Sequence, residues 1–268
     1  MSSLADSGTK LNVNIVGDGP PLVFIHGWAA SQRFWKHQIQ QFRASYRVLA
    51  YDLRGHGDSD KPKTGYQVSD HVEDLKTLLK CEKINNPVLI GHSLGGIIAL
   101  QYTLENIELP RALVLVGTNP RPVSSLKRSI QMSLLSWMIR MSRTRASKYT
   151  RTQIFGPDVD PSLIDWVNQD SLRTPTFVVR QTLKAVKAFN VQNRLTEITV
   201  PTLIINGEFE TTVDTKTVTQ MLEDLPQGQF VSIPRSGHNV MLEQPKAFGV
   251  ALAAFLQQVT DTTIRRFA

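Results

Sequence analysis

The chain has 268 residues, with 30 Lys plus Arg against 23 Asp plus Glu and a single cysteine. That length buries a substantial core without staples, and the lone Cys81 excludes an intrachain disulfide, a zinc cluster and a redox pair. Met1 to Lys10 lacks the apolar run of a signal peptide, and nowhere do about 18 apolar residues run uninterrupted, so the expectation is a cytoplasmic protein with no integral membrane segment.

The first half alternates short β-rich runs with longer helical patterns, which predicts a mostly parallel sheet covered by helices on both faces. Strands are expected at Leu11–Val16, Leu22–Ile25, Arg47–Asp52, Pro87–Ile90 and Ala112–Val116, and helices at about Gln32–Arg43, Val68–Lys80 and Leu94–Asn106. Cys81 reads as a small hydrophobe near a helix end. After Gly117 the rhythm stops, and residues 118–198 read as helices and connections with no core strand. Alternation then resumes with Thr202–Asn206, a helix near Lys216–Leu225, Gln229–Ile233 and a closing helix from about Gln244 to Val259. The expected organisation is therefore a core of residues 1–117 and 199–268 interrupted by a helical lid, 118–198.

Within that insertion Leu126, Ile130, Leu134, Trp137, Met138 and Met141 share one helical face, with Lys127, Arg128, Arg140 and Arg143 off it. The plain account is a helix packed on the main domain with a solvated basic side. The sharper one is a lid whose stripe, through Trp137, Met138 and Met141, roofs an acyl pocket that His26 and Gly27 also line. No acidic residue lies between Leu109 and Pro157 while nine basic ones do, so the net +7 resides here and the rest of the chain is nearly neutral. An acidic carrier protein is a partner this charge permits. Nucleic acid is not expected, because the excess sits over the presumed pocket entrance and no nucleic-acid motif is present.

The chemistry centres on Gly91-His92-Ser93-Leu94-Gly95, which follows one apolar strand and opens a helix. The pattern alone is weak, but strand before and helix after make it specific: small residues let a strained turn lift the Ser93 hydroxyl clear of the sheet. A serine hydroxyl needs a base. Of six histidines, His238 lies in the loop after the last expected strand, at the carboxyl edge where sites of open α/β sheets assemble. His37 and His71 fall in helical patterns, and His92 should point away from the nucleophile. The base needs an acid to fix its tautomer. Glu210, in the loop after Thr202–Asn206, is the first choice, with Glu208 and Asp214 as rivals. In His26-Gly27-Trp28, after the strand Leu22–Ile25, the Trp28 N–H is positioned to join that of Leu94 in an oxyanion hole.

These segments, with Asp52-Leu53-Arg54-Gly55-His56-Gly57-Asp58-Ser59 and Ser236-Gly237-His238 followed by Glu243-Gln244-Pro245, stand in one order that resembles the α/β-hydrolase superfamily, in its lid-bearing esterase and lactonase branch. The likeness spans about residues 11–259. It implies the α/β-hydrolase fold and a serine, acid, histidine order matched by Ser93, Glu210 and His238, with Asp52, Arg54 and His56 structural. Many relatives carry Asp where Glu210 stands, which leaves Asp214 open as the acid. The implied activity is a serine hydrolase, carboxylesterase-like, acting on a small-molecule ester with no metal or organic cofactor. A lactonase, a C–C bond hydrolase, a perhydrolase or an esterase of carrier-protein-linked methyl esters uses the same triad. A receptor-like binder that does not turn over is the reading from another class.

Overall fold

In a computed structural model of the chain, strands β1 (Ser2–Leu4), β2 (Lys10–Val16), β3 (Pro21–Ile25), β4 (Arg47–Tyr51), β5 (Val88–His92), β6 (Ala112–Val116), β7 (Thr202–Gly207) and β8 (Gly228–Ile233) form one sheet. Their order is β1-β2-β4-β3-β5-β6-β7-β8. The structure describes residues 2–4, 8–105, 110–121, 134, 138, 141, 142, 144, 145 and 154–267, with the backbone alone for 2–4 and 261–267. The β1–β2 and β2–β4 pairs are antiparallel and every later pair is parallel. β5, β6 and β7 are buried at every position, as strands covered on both faces must be.

The covering helices are α1 (Lys36–Phe42), α2 (Val68–Cys81), α3 (Leu94–Glu105), α4 (Pro161–Leu172), α5 (Thr176–Ala188), α6 (Thr215–Asp224), the single turn α7 (Val240–Glu243) and α8 (Pro245–Phe267). On one side α2, α3 and α6 press Leu75, Leu78, Ile97, Ile98, Leu100 and Met221 onto Leu49, Leu89 and Leu113. On the other, Phe42 of α1 and Phe248, Leu252, Phe255 and Leu256 of α8 meet Phe24, Ala50, Ile90 and Val114. Alternate residues of each strand thus feed two cores, each fully buried Leu or Phe contributing about 1.5–3 kcal/mol.

The chain matches the expected arrangement of strands to within a residue or two, with three differences. The helix expected at Gln32–Arg43 is a 3-10 turn, Gln32–Trp35, followed by α1. The Ser31 side chain caps that turn at Arg33, and Phe34 and Trp35 are both buried at its end, before α1 begins at Lys36. β1 was not expected: it is short and polar and gains its place by pairing with Lys10–Asn12. Cys81 closes α2 as expected but is exposed rather than packed. Among the described residues, none between Thr118 and Ile198 is in a strand, and α4 and α5 lie in this stretch between β6 and β7. They rest on the core through Trp166 against Phe34, ion pairs Arg33–Asp170 and Arg173–Asp58, and the packing of Val179 and Leu183 on Ala29. No helix among the described residues is long and apolar enough to cross a membrane.

Candidate active site

Parallel strands in one sheet deliver their following loops to a common edge. β3 delivers His26-Gly27-Trp28, β5 delivers Ser93, β6 delivers Gly117, β7 delivers Glu210 and β8 delivers His238, and in the sheet these five strands are consecutive.

Ser93 occupies the turn between β5 and α3 with φ +50°, a left-handed conformation that costs a non-glycine residue about 1–3 kcal/mol. The strain is held by its surroundings. The Ser93 N–H donates to Val116 O at 2.8 Å, and its carbonyl accepts from the N–H groups of Gly96 and Ile97 at 3.0 and 3.1 Å. Gly95 has no room for a Cβ, which would strike the Ile25 carbonyl; this explains the small residue after the serine. The Leu94 N–H, at the head of α3, and the Trp28 N–H have no hydrogen-bond acceptor among the described residues. Neither has the Ser93 hydroxyl, so Ser93 and His238 share the rim without being hydrogen-bonded to each other.

Glu210 and His238 are joined. Glu210 Oε2 lies 2.7 Å from His238 Nδ1, with the two side chains 3% and 9% exposed. A carboxylate only accepts, so Nδ1 carries a proton and donates it to Glu210. Burial pushes the Glu210 carboxyl upward, but the charge and hydrogen bond of His238 and two bonds from Thr212 outweigh it and hold it down at about 2. Those bonds run to Glu210 Oε1 from the Thr212 N–H at 2.5 Å and its hydroxyl at 2.8 Å. The same hydroxyl lies 3.0 Å from His238 Nδ1. Both carboxylate oxygens are thereby occupied, and the longer Glu side chain reaches the imidazole. The rivals are engaged elsewhere: Asp214 caps α6 through the Thr217 N–H at 2.8 Å, and exposed Glu208 accepts the Arg235 N–H at 2.9 Å. Thr212 escaped the sequence reading; its one signal is a hydroxyl residue two positions after a loop carboxylate, the spacing at which such side chains bond nearby N–H groups.

Gly117, at φ +53°, lies beneath the pair. A Cβ there would stand 2.7 Å from His238 Nδ1 and 2.9 Å from Glu210 Oε2.

His26 is fully buried behind the loop after β3. The Leu53 N–H donates to its Nε2 at 2.9 Å, so Nδ1 carries the proton and donates to Gly27 O at 2.8 Å. Burial lowers its pKa to about 4 against that bond, leaving a neutral ring with no exposed atom. Gly27 is likewise buried, and half-buried Trp28 donates its indole N–H to Val179 O of α5 at 3.0 Å. Met138 packs with Trp28 against Ala29, Val179 and Leu183, whereas Met141 is 68% exposed. Trp137 and most of the stripe and basic run around it lie outside the described residues. His92 turns away from the serine: its Nε2 donates to the His238 carbonyl at 3.0 Å. Asp52 organises its own loop, accepting from the N–H groups of Gln32 and Asp58 at 2.7 and 2.9 Å, and Arg54 pairs with buried Asp74.

Residues 20–245 match the family described as alpha/beta hydrolase fold. The chain is 25% identical over 255 residues to AB hydrolase superfamily protein YisY of Bacillus subtilis, covering 91% of this chain and 94% of that one. It is 24% identical over 248 residues to the pimeloyl-[acyl-carrier protein] methyl ester esterase of Nitrosomonas europaea, covering 89% and 96%. Among solved structures, an esterase from Exiguobacterium antarcticum superposes with a TM-score of 0.90 at 26% identity, over 96% of this chain and 99% of that one.

Proposed function

The chain belongs to the α/β-hydrolase family, and we propose that it is a serine hydrolase cleaving carboxylic esters of small to medium acyl substrates through an acyl-enzyme on Ser93. The observation that carries this reading is the 2.7 Å bond from His238 Nδ1 to Glu210, because it fixes the ring and supports the imidazolium that a base must become, in a loop at the same sheet edge as the strained serine. In the first step His238 Nε2 takes the Ser93 proton as Oγ attacks the ester carbonyl. The carbonyl oxygen gains negative charge and is met by the N–H groups of Trp28 and Leu94. The C–O bond to the alcohol then breaks, the alcohol leaving with the proton held by His238. In the second step water enters, gives a proton to His238, attacks the acyl carbon and releases the acid with Ser93 regenerated. Glu210 stays ionised throughout and stabilises the imidazolium.

An ester substrate is supported by two similar proteins that carry esterase names, while others are named for a lactone or a dienoic acid, so a substrate panel must choose among them. The test is a panel of esters of increasing acyl length, lactones and vinylogous diketones, with fluorophosphonate labelling mapped by mass spectrometry. The expected result is turnover of esters, the label on Ser93, and a loss of kcat of roughly five orders of magnitude in Ser93→Ala with the fold intact. Turnover near wild type in Ser93→Ala rejects the mechanism; rapid labelling without turnover of any panel member identifies a binder instead.

A further inference from the structure

The turn that carries His238 is built from backbone N–H groups that do not pair with one another. Gly237 donates to Glu243 Oε2 at 3.0 Å, Asn239 donates to Glu243 Oε1 at 3.1 Å, and the N–H of His238 itself donates to Ile154 O at 2.8 Å. One carboxylate therefore grips the peptide on each side of the histidine. Its Oε2 also accepts the Gly156 N–H at 2.7 Å, from the middle of the stretch that separates β6 from β7. A second tie between the same two segments is the Arg235–Asp158 ion pair at 3.0 Å. Three consecutive N–H groups of the turn thus end on Glu243 or on Ile154, and among the described residues no other side chain accepts from them.

We propose that Glu243 is a positioning residue that seats the imidazole of His238 and couples that seat to residues 154–158 of the segment between β6 and β7. This rests on His238 being the base. Glu243 is four residues beyond Asn239, on the one-turn helix α7, so its side chain folds back over the N-terminal N–H groups as a capping carboxylate does. The geometry asks more of it than a cap. A carboxylate has about four lone-pair directions and can receive three N–H groups at once, whereas a carboxamide offers one accepting oxygen and turns two N–H bonds of its own against the remaining donors. Loss of the grip lets the turn shift, and the Nε2 of the histidine moves with it. A displacement of a few tenths of an ångström moves the base and leaves the rest of the site in place, so substrate binding stays while proton transfer slows.

The experiment compares Glu243→Gln, Glu243→Asp and Ser93→Ala with the wild type on one soluble ester, with circular dichroism for folded content and proton NMR for the downfield Nδ1–H of His238. In Glu243→Gln the expected result is a kcat per folded molecule lower by about tenfold or more, KM within about twofold, and a shifted or broadened Nδ1–H signal. Glu243→Asp, which keeps both oxygens and the charge, is expected to fall between Gln and wild type. A merely structural role predicts fewer folded molecules each turning over normally with the Nδ1–H unmoved, and that result overturns the inference, as does a kcat within twofold of wild type. If Glu243→Gln does not fold, Glu243→Asp is read by the same criteria. The two readings fail separately: turnover retained in Ser93→Ala removes the serine mechanism, whereas a dead Ser93→Ala beside an unaltered Glu243→Gln removes only the role of Glu243.

Discussion

Glu210 is a buried carboxylate that accepts three hydrogen bonds, one from His238 and two from Thr212, and its chemistry follows from that setting. With its acidity near 2, it remains an anion across any pH at which the protein is assayed, so an acidic limb in the rate profile does not report its titration. Glu210→Gln keeps an oxygen within reach of Nδ1 but removes the charge and allows the amide to donate to the ring, favouring the wrong tautomer. The expected loss in kcat is about two to four orders of magnitude, smaller than that of Ser93→Ala. Thr212→Val keeps the backbone bond to Oε1 and removes only the hydroxyl, so its expected loss is roughly three- to tenfold at unchanged KM; a wild-type kcat would show the hydroxyl to be idle. The serine and histidine were legible in the sequence because each stands in a short motif at a strand end. The choice among Glu208, Glu210 and Asp214 was not, since three carboxylates within seven residues differ only in where the loop turns them. Thr212 and Glu243 were legible only in part: their bonds to Glu210, Gly237 and Asn239 are local, but the contact of Thr212 with His238 and the bond of Glu243 to Gly156 cross between segments that only the folded sheet brings together.

At the level of elements, the strands were readable because short β-branched apolar runs such as Leu113–Val116 alternate with longer helical patterns, whereas the boundary between turn and helix at Gln32–Phe42 depends on which core Trp35 enters. The end of β6 shows how an element boundary becomes a functional dimension. Gly117 leaves the strand with its N–H on Ile205 O at 3.1 Å and takes up a left-handed conformation, and this brings bare backbone under the acid–base pair. In Gly117→Ala the new methyl meets three atoms of that pair and the residue also carries the left-handed strain. The expected outcome is a stability loss of about 1–3 kcal/mol and a kcat loss of at least about a hundredfold, because the pair is pushed away from the serine. Denaturant titration and steady-state kinetics check the two numbers, and a variant that loses stability but keeps its rate would mean that the pair tolerates displacement. The segment between β6 and β7 was recognisable as an interruption of the strand rhythm, but its docking through Trp28, Ile154 and Gly156 has no pattern in the sequence, since all three bonds engage a backbone carbonyl or N–H group that any residue type can supply.

The molecule as a whole buries an unusual set of bases. His26, His56, His71 and His92 are each at most 3% exposed, and burial, the leading cause in every case, keeps all four neutral. His26 is lowered to about 4 and His56 to about 3, and His71 and His92 lie well below the ordinary 6.5. The unfolded chain takes up protons at these positions near pH 6.5 while the folded chain does not, so unfolding binds protons and stability falls as the pH drops from 6.5 toward 4. Each histidine contributes at most about 1.4 kcal/mol per pH unit over that range. Buried Asp74, Asp170 and Glu243 are raised by burial and act in the opposite sense, but only as the carboxylate range is entered. Glu210, lowered from 4.5 to about 2, adds stability above 4.5 that is lost below it. The first part of the acid loss therefore belongs to the histidines. His71 isolates the effect, because both its ring nitrogens are buried without a hydrogen-bond partner among the described residues and it lies away from the acid–base pair, on α2. Replacing it with leucine removes one unprotonated buried base and no hydrogen bond. Denaturant midpoints measured at pH 7.5, 6.5, 5.5 and 4.5 are expected to fall steeply in the wild type and about one proton per molecule less steeply in His71→Leu, with activity at pH 7.5 retained; parallel slopes in the two proteins would place the acid sensitivity elsewhere.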